Sequence, residues 1–363
     1  MNNLNDTLIE VRNLYSVYET NTSTPKFILN DVNIDIPKGK TIGIIGESGS
    51  GKTQLISSIC GIRMFSPGVI YGNVRFNIND EWVSVYHNNN NLEMDYFLNN
   101  PFKANKNISS NIRSLKRDLI GFIPQDPKTY LNPFWTVESL FKQSHNLNNN
   151  HEIPFNEFIE MHLISAGIRE NKINDVKQKR PSELSGGEAQ RVMMGFVFSK
   201  SPKIIIADEP TTGVDVTTQK KIIDTLTALS GNNITTILIS HDLGFLDHLV
   251  DEYFVMYSGF VCEYIKKKEK IYNSENLHPY TKKIVQSLDK NKLSTNSRLE
   301  TTPEHQEFLQ CCPYSTVGFC SQLEADIDES RKTYTEKCRT KLPDKKIDSN
   351  DDINSWKRCW YEK

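Results

Sequence analysis

The chain has 363 residues, with 43 Lys and Arg against 45 Asp and Glu and a formal net charge of −2. That length holds one large domain plus a smaller one, or two comparable ones, and the balanced charge argues against a nucleic-acid-binding surface. Apolar residues make up 37%, ordinary for a soluble chain with polar loops, and no apolar run nears the ~18–20 residues that cross a bilayer. The start, Met1 to Asp6, lacks the basic-then-apolar order of a signal peptide, so a cytoplasmic chain is expected, reaching any membrane through a partner.

Residues 7–18 alternate apolar and polar, which predicts a half-buried strand. Tyr18 at its end could stack on an adenine ring. Tyr15 competes for that role, and an ordinary strand aromatic is the plainer reading. A second strand over 27–36 ends at the turn Pro37-Lys38-Gly39.

The apolar strand Thr41 to Ile45 then leads into Gly46-Glu47-Ser48-Gly49-Ser50-Gly51-Lys52-Thr53, with a helix expected over Gln54 to Cys60. This is G-x-x-x-x-G-K-[ST] between a buried strand and a helix. A triphosphate needs backbone N–H donors close on several sides, and glycines permit that approach. The helix start adds unpaired N–H groups and the positive end of its dipole. In such a loop Lys52 reaches the β- and γ-phosphates and the Thr53 hydroxyl holds Mg²⁺.

Residues 73–118 read as an irregular surface excursion, because the Asn-rich tracts at 87–91 and 99–100 cannot bury enough apolar surface to order themselves. A short apolar strand, Leu119 to Pro124, runs directly into Gln125-Asp126-Pro127. Helical spacing follows over 137–168, with Val137, Leu140 and Phe141 and then Phe155, Phe158, Ile159, His162 and Leu163. Two buried strands, 203–207 and 234–239, flank a helix expected over 217–229, an order that means a parallel sheet.

Two further constellations carry chemistry. Ile204-Ile205-Ile206-Ala207-Asp208-Glu209 delivers an acidic pair at the end of a buried strand. Asp208 suits the Mg²⁺ shell, and Glu209 suits orienting and polarising an attacking water. Before it, Leu184-Ser185-Gly186-Gly187-Glu188-Ala189-Gln190-Arg191 opens a helix and forms a second anion-binding helix start. One fold has little use for two, unless the second serves a nucleotide held by another subunit.

Seven cysteines are present. Cys60 and Cys262 sit among apolar neighbours and are expected in the core. Cys311, Cys312, Cys320, Cys338 and Cys359 cluster near the end, where a reducing compartment favours metal or iron–sulfur ligation over disulfides.

The order Gly46–Thr53, Gln125, Leu184–Gln190, Asp208-Glu209, Val214-Asp215 and Ser240-His241-Asp242 resembles an ABC-type ATPase over roughly residues 7–265. The resemblance implies an α/β P-loop ATPase fold with a mixed sheet core, an antiparallel β part and an α-helical subdomain at about 126–190. It also implies that ATP lies between two subunits facing head to tail. Gly46 to Thr53 with Gln54 and Tyr18 would bind ATP, and Thr53, Gln125 and Asp208 would serve Mg²⁺. Ser185, Gly186 and Gly187, with Glu188 and Gln190, would face the partner's nucleotide. Glu209 would be the catalytic base, Gln125 would link the Mg²⁺/water site to the helical insert, Asp215 would sit at the dimer seam, and His241 would hold the γ-phosphate and water.

Gln125-Asp126-Pro127, Leu131-Asn132-Pro133, Ala207 to Thr212, Asp215-Val216-Thr217 and His278-Pro279-Tyr280-Thr281 are similar to the oligopeptide/dipeptide and nickel importer branch. That branch implies an ATPase domain over 1–288 and a small Cys-containing C-terminal extension over 289–363. It further implies a paralogous ATPase partner, two membrane-spanning permease subunits, an extracytoplasmic solute-binding protein, and a peripheral place on the cytoplasmic membrane face. Cys312-Pro313 fits the branch, whereas the position upstream reads Glu304-His305-Gln306-Glu307, with no Cys. A [4Fe–4S] cluster, a Cys₄ Zn²⁺ site and a degenerate extension with free thiols stay open. Rival readings are a nickel or metal-chelate importer, a soluble ABC protein and an ATP-binding subunit without turnover. The single P-loop and absent heptads count against the second, and the presence of Glu209 and His241 counts against the third.

Overall fold

A computed structural model describes residues 6–18, 26–62, 64–65, 67–86, 119–147, 153–211, 233–240, 243–267 and 277–287, with the isolated positions 109, 112, 117, 219, 222, 224–227 and 271 and two short strands near the end. The chain divides into two compact units. The first takes residues 1–36, 43–109 and 250–363; the second takes 37–42 and 110–249.

The first unit holds a four-stranded antiparallel sheet in the order β2-β1-β4-β5, formed by β1 (Thr7–Tyr18), β2 (Lys26–Pro37), β4 (Pro67–Ile78) and β5 (Glu81–Ser84). Ile9, Val11, Leu29, Val74 and Phe76 are fully buried in it. Glu10 lies opposite Arg75 across β1 and β4 and the two form an ion pair, a cross-strand contact that fixes register. The irregular reading of 73–118 is therefore corrected for Asn73–Ile78 and Glu81–Ser84, which are strands. Val74 and Phe76 alternate with Asn73, Arg75 and Asn77, so the period of two was there, hidden by asparagines. The tract 87–91 lies outside the described residues.

The same unit holds the end of β3 (Thr41–Ile45), the helix α1 (Lys52–Ile59), and the antiparallel pair β9 (Glu252–Tyr257) and β10 (Phe260–Lys266). Strands β11 (Lys346–Ile347) and β12 (Trp356–Lys357) extend β10 antiparallel, with Glu263 opposite Lys357. Cys60 and Cys262 are buried, as expected.

The second unit carries three parallel strands, β6 (Ile120–Ile123), β7 (Ile204–Asp208) and β8 (Thr235–Ile239), with Ile123 opposite Ala207 and Ala207 opposite Leu238. Every residue of β7 and β8 is buried, and neither strand alternates apolar with polar residues, the pattern of strands covered on both faces. Lys40 accepts a 2.9 Å bond from the Thr236 N–H beside them. The helices are α2 (Pro127–Tyr130), α3 (Val137–Leu147), α4 (Phe155–Ser165), α5 (Ile173–Gln178), α6 (Gly186–Phe198) and α7 (Leu243–Leu249). In α3, Val137, Leu140, Phe141 and Ser144 are buried, the spacing of one helical face. Of the helix expected over 217–229, residues 219, 222 and 224–227 are described and helical.

His162 on α4 packs edge-on against Phe158 at 4.6 Å, and burial lowers its pKa from 6.5 to about 4. The unfolded chain takes up this proton from about pH 6.5 downward and the folded chain only near pH 4. Acid therefore favours unfolding across that window. Denaturant midpoints should fall between pH 6.5 and 4, and His162→Leu should flatten the slope; an unchanged slope would remove His162 as its source.

Candidate functional site

Within the first unit, β3 ends in the loop 46–51, which turns directly into α1. Gly46 has no room for a side chain: a Cβ there would come within 2.2 Å of the Met256 carbonyl oxygen and 2.8 Å of Ser50 Oγ. Gly51 caps α1 in a left-handed conformation (φ 100°) that L side chains rarely adopt. Among the described residues no side chain caps α1, and its first turn contains no acid, so its N–H groups and dipole are left to an anion. The loop is pinned from outside as well. The Gly259 N–H donates to the Ser50 carbonyl at 3.0 Å, and the Glu47 N–H donates to the Tyr280 hydroxyl at 2.9 Å.

Lys52 is buried with its ammonium folded across the loop, donating to the Gly46 and Glu47 carbonyls at 2.8 and 2.6 Å. Its charge thus sits over the cradle rather than in solvent. Thr53 is exposed, as are Ser48 and Gly49, which suits groups meant for a ligand. Gln54 faces the other way: its amide donates to Ser16 Oγ at 2.9 Å and Ser58 Oγ at 3.3 Å. What Gln54 offers an anion is its backbone N–H in the first turn of α1. Tyr18 is half-buried, its ring tilted against Phe65 at 5.7 Å with the Lys26 ammonium 5.9 Å from its centroid.

In the second unit, β7 ends at Asp208, which is 5% exposed, and Glu209 follows with φ 46°. Left-handed backbone at a non-glycine residue costs of order 1–3 kcal/mol and concentrates at functional sites. Two bonds hold Glu209 there. Its N–H donates to the Ile239 carbonyl at 2.9 Å, and its Oε2 accepts from Gln125 Nε2 at 3.1 Å. Gln125 and Glu209 are 84 residues apart in sequence, and the parallel pairing of β6 with β7 brings them together. Within the second unit the Gln125 carbonyl oxygen and the Asp208 carboxylate are hard oxygen donors, the kind Mg²⁺ takes.

Ser185 starts α6 through a reciprocal capping box. Its Oγ accepts from the Glu188 N–H at 3.2 Å, and Glu188 Oε2 accepts from the Ser185 N–H at 2.9 Å, which holds the Glu188 carboxyl below its usual pKa. Ser185 and Gly186 are exposed and Gly187 half-exposed, so the helix start faces outward. Gln190 is buried, its Nε2 without a hydrogen-bond partner among the described residues. Ser185→Ala should lower unfolding stability by about 1 kcal/mol through loss of the cap; an unchanged denaturation midpoint would mean the Glu188 half of the box suffices.

Asp215, His241, Cys311, Cys312, Cys320, Cys338 and Cys359 lie outside the described residues, and among the described residues no group of three or more His, Cys, Asp or Glu could hold a metal ion. The sequence reading missed two contacts to the phosphate loop, Gly259 and Tyr280. The Ser258-Gly259 pair between two apolar runs was a visible turn signal. Tyr280, 233 residues from Glu47, gave none.

The family model for the ABC transporter matches residues 29–212. The oligopeptide transport ATP-binding protein OppD of Haemophilus influenzae is 30% identical over 85% of this chain and 88% of its own length. The protein of the same name from Salmonella typhimurium is 32% identical over 76% of this chain and 74% of its own. The oligopeptide transport ATP-binding protein AppD of Bacillus subtilis is 31% identical over 78% of each. Among solved structures, a dimeric ATP-binding cassette in a post-hydrolysis state bound to ADP and Pi aligns with TM-score 0.57 and 22% identity over 72% of this chain and all of that one, a likeness of fold.

Proposed function

The chain belongs to the ABC transporter family, and from that premise we propose that it is the ATP-hydrolysing subunit that drives an oligopeptide importer. The observation that carries the reading is similarity to oligopeptide transport ATP-binding proteins along most of both chains, not along the phosphate loop alone.

The chain's own residues supply the steps. N–H groups of the 46–53 loop other than those of Glu47 and Ser50, which bond Tyr280 and Glu47, bind the β- and γ-phosphates together with the Lys52 ammonium. Thr53, Gln125 and Asp208 would hold Mg²⁺, which would offset charge on the phosphate oxygens. The Glu209 carboxylate takes a proton from the attacking water, and the Gln125 amide orients that carboxylate. Fixed charges and N–H donors aimed at the developing phosphate charge supply most of the rate. Tyr18 stacks on the adenine. The outward-facing start of α6 at Ser185–Gly187 serves the ATP of a second ATPase subunit, with Glu188 and Gln190 supporting it. Asp215 belongs to the seam and His241 to the γ-phosphate.

ATP-driven pairing of two such subunits moves the segment from Asp126 to Thr136 against membrane-spanning permeases. That segment exposes Phe134 by 81% and Tyr130 by 54%, apolar surface of the kind a partner covers. Among the described residues no helix is long and apolar enough to cross a membrane, which fits a subunit held at the cytoplasmic face by its partners. The second ATPase is a paralogue, and an extracytoplasmic solute-binding protein delivers the cargo. ATP and Mg²⁺ are the ligands the described residues support; a [4Fe–4S] or Zn²⁺ site on the five C-terminal cysteines belongs to the proposal alone.

The test is uptake in cells carrying only the Glu209→Gln form. A required amino acid is supplied solely within short peptides, and nickel uptake is followed in parallel. Loss of growth on peptides with nickel uptake intact is the expected result. Loss of nickel uptake alone would move the chain to metal import, and no change in either would overturn the importer reading.

A further inference from the structure

The sequence His278-Pro279-Tyr280-Thr281 opens a helix, α8 (Pro279–Ser287), in the first unit. Pro at the first helical position is favourable there because its missing N–H needs no partner. The start of this helix is held by a buried carboxylate from β10. Glu263, 3% exposed, accepts from the His278 N–H at 2.8 Å through Oε1 and from the Thr281 hydroxyl through Oε2. His278 adds a local cap, its Nδ1 accepting from the Tyr280 N–H at 3.2 Å. All four groups are buried: His278 is 3% exposed, and Tyr280 and Thr281 are fully enclosed.

This arrangement leaves Tyr280 little freedom. Its ring tilts against Tyr257 at 4.7 Å, and its hydroxyl takes the N–H of Glu47, the second residue of the phosphate loop. A carboxylate with both oxygens engaged, buried at a helix start, is costly to hold unless its bonds are kept together. These bonds form a rigid seat that reaches the nucleotide loop through a tyrosine hydroxyl. Glu47 is thereby fixed at the mouth of the cradle before a ligand arrives, so less loop freedom is lost on binding.

We propose that Tyr280 is a positioning residue for ATP, and that Glu263, His278 and Thr281 form the latch that seats it. This rests on the reading of residues 46–53 as the nucleotide site. Tyr280 acts through the Glu47 N–H, which its hydroxyl accepts.

The experiment uses the full chain and ATP with Mg²⁺. Tyr280→Phe removes one oxygen and keeps the buried ring. It should raise both Kd and KM for ATP by about 3–10-fold, the range of one net hydrogen bond, with kcat within about twofold. A merely structural loss gives the opposite split: fewer active molecules, lower apparent kcat and unchanged KM. The control is Tyr86→Phe, which deletes a buried hydroxyl donating to the Ser58 carbonyl at 2.7 Å beyond the loop. It should lower stability without moving KM. Unchanged Kd and KM in Tyr280→Phe, or an equal rise in Tyr86→Phe, would overturn the proposal. Hydrogen exchange gives a second reading on the unaltered protein, whether or not the variant folds. The Glu47 amide should be protected without nucleotide, and rapid exchange there would also overturn the latch. A chain that binds no ATP even unaltered would instead remove the nucleotide-site reading itself.

Discussion

Glu209→Gln is expected to lower ATP turnover by about 10²–10⁴-fold while leaving ATP affinity intact. The carboxylate is replaced by an amide of the same shape, which accepts the Gln125 bond through its carbonyl but takes no proton from water. The left-handed backbone at this residue and the bond from its N–H to Ile239 do not depend on the side-chain charge, so the fold around β7 is kept. Single-turnover hydrolysis with a fluorescent nucleotide titration in parallel separates the two effects. Turnover within a few-fold of the unaltered chain would take Glu209 out of the base role. Lost binding would mean instead that its charge serves the nucleotide site's structure.

Lys52→Ala should weaken nucleotide binding itself. Charge-assisted hydrogen bonds contribute about 1.5–3 kcal/mol each, which converts to roughly 10–100-fold in Kd. The lysine also ties the loop together through the Gly46 and Glu47 carbonyls, so some of the loss will come from a looser cradle. Comparing ATP with AMP separates the contributions. A lysine acting on β- and γ-phosphates should matter for ATP and far less for AMP, whereas a loosened loop should weaken both. Normal ATP affinity in the variant would remove the phosphate role of the 46–53 segment.

Much of this was written in local sequence. The run Thr41 to Ile45, the glycine-bracketed loop and the Lys-Thr pair specify a strand, an anion cradle and a helix start through steric allowance and unpaired N–H groups alone. The unbroken apolar run Ile204 to Ala207 before an acidic pair specified a buried parallel strand with carboxylates at its end, and β7 is that strand. Ser185 with Glu188 three residues on is a capping box by spacing, and α6 begins there. These features depend on contacts within a few residues, which a sequence displays directly.

Other features depend on contacts made across long stretches of chain, and only the tertiary structure decided them. Strands β4 and β5 lay hidden in an asparagine-rich stretch because their stability comes from pairing with β1, not from local propensity. The direction of the Gln54 side chain is set by Ser16 on β1, which accepts its amide N–H. Gln125 meets Glu209 through the pairing of two strands, and the seat of Tyr280 is assembled from β10 and α8 around one buried carboxylate. Strand β12, formed by residues 356–357, ends beside that carboxylate's own strand, a placement no periodicity announces over two residues. By itself the sequence determined the strand, loop and helix start around Lys52 and the acidic pair closing β7, since these follow from residue chemistry at fixed local spacing. Which side chains hold those groups in position was decided by packing, because a hydrogen bond across 233 residues leaves no pattern in the sequence between them.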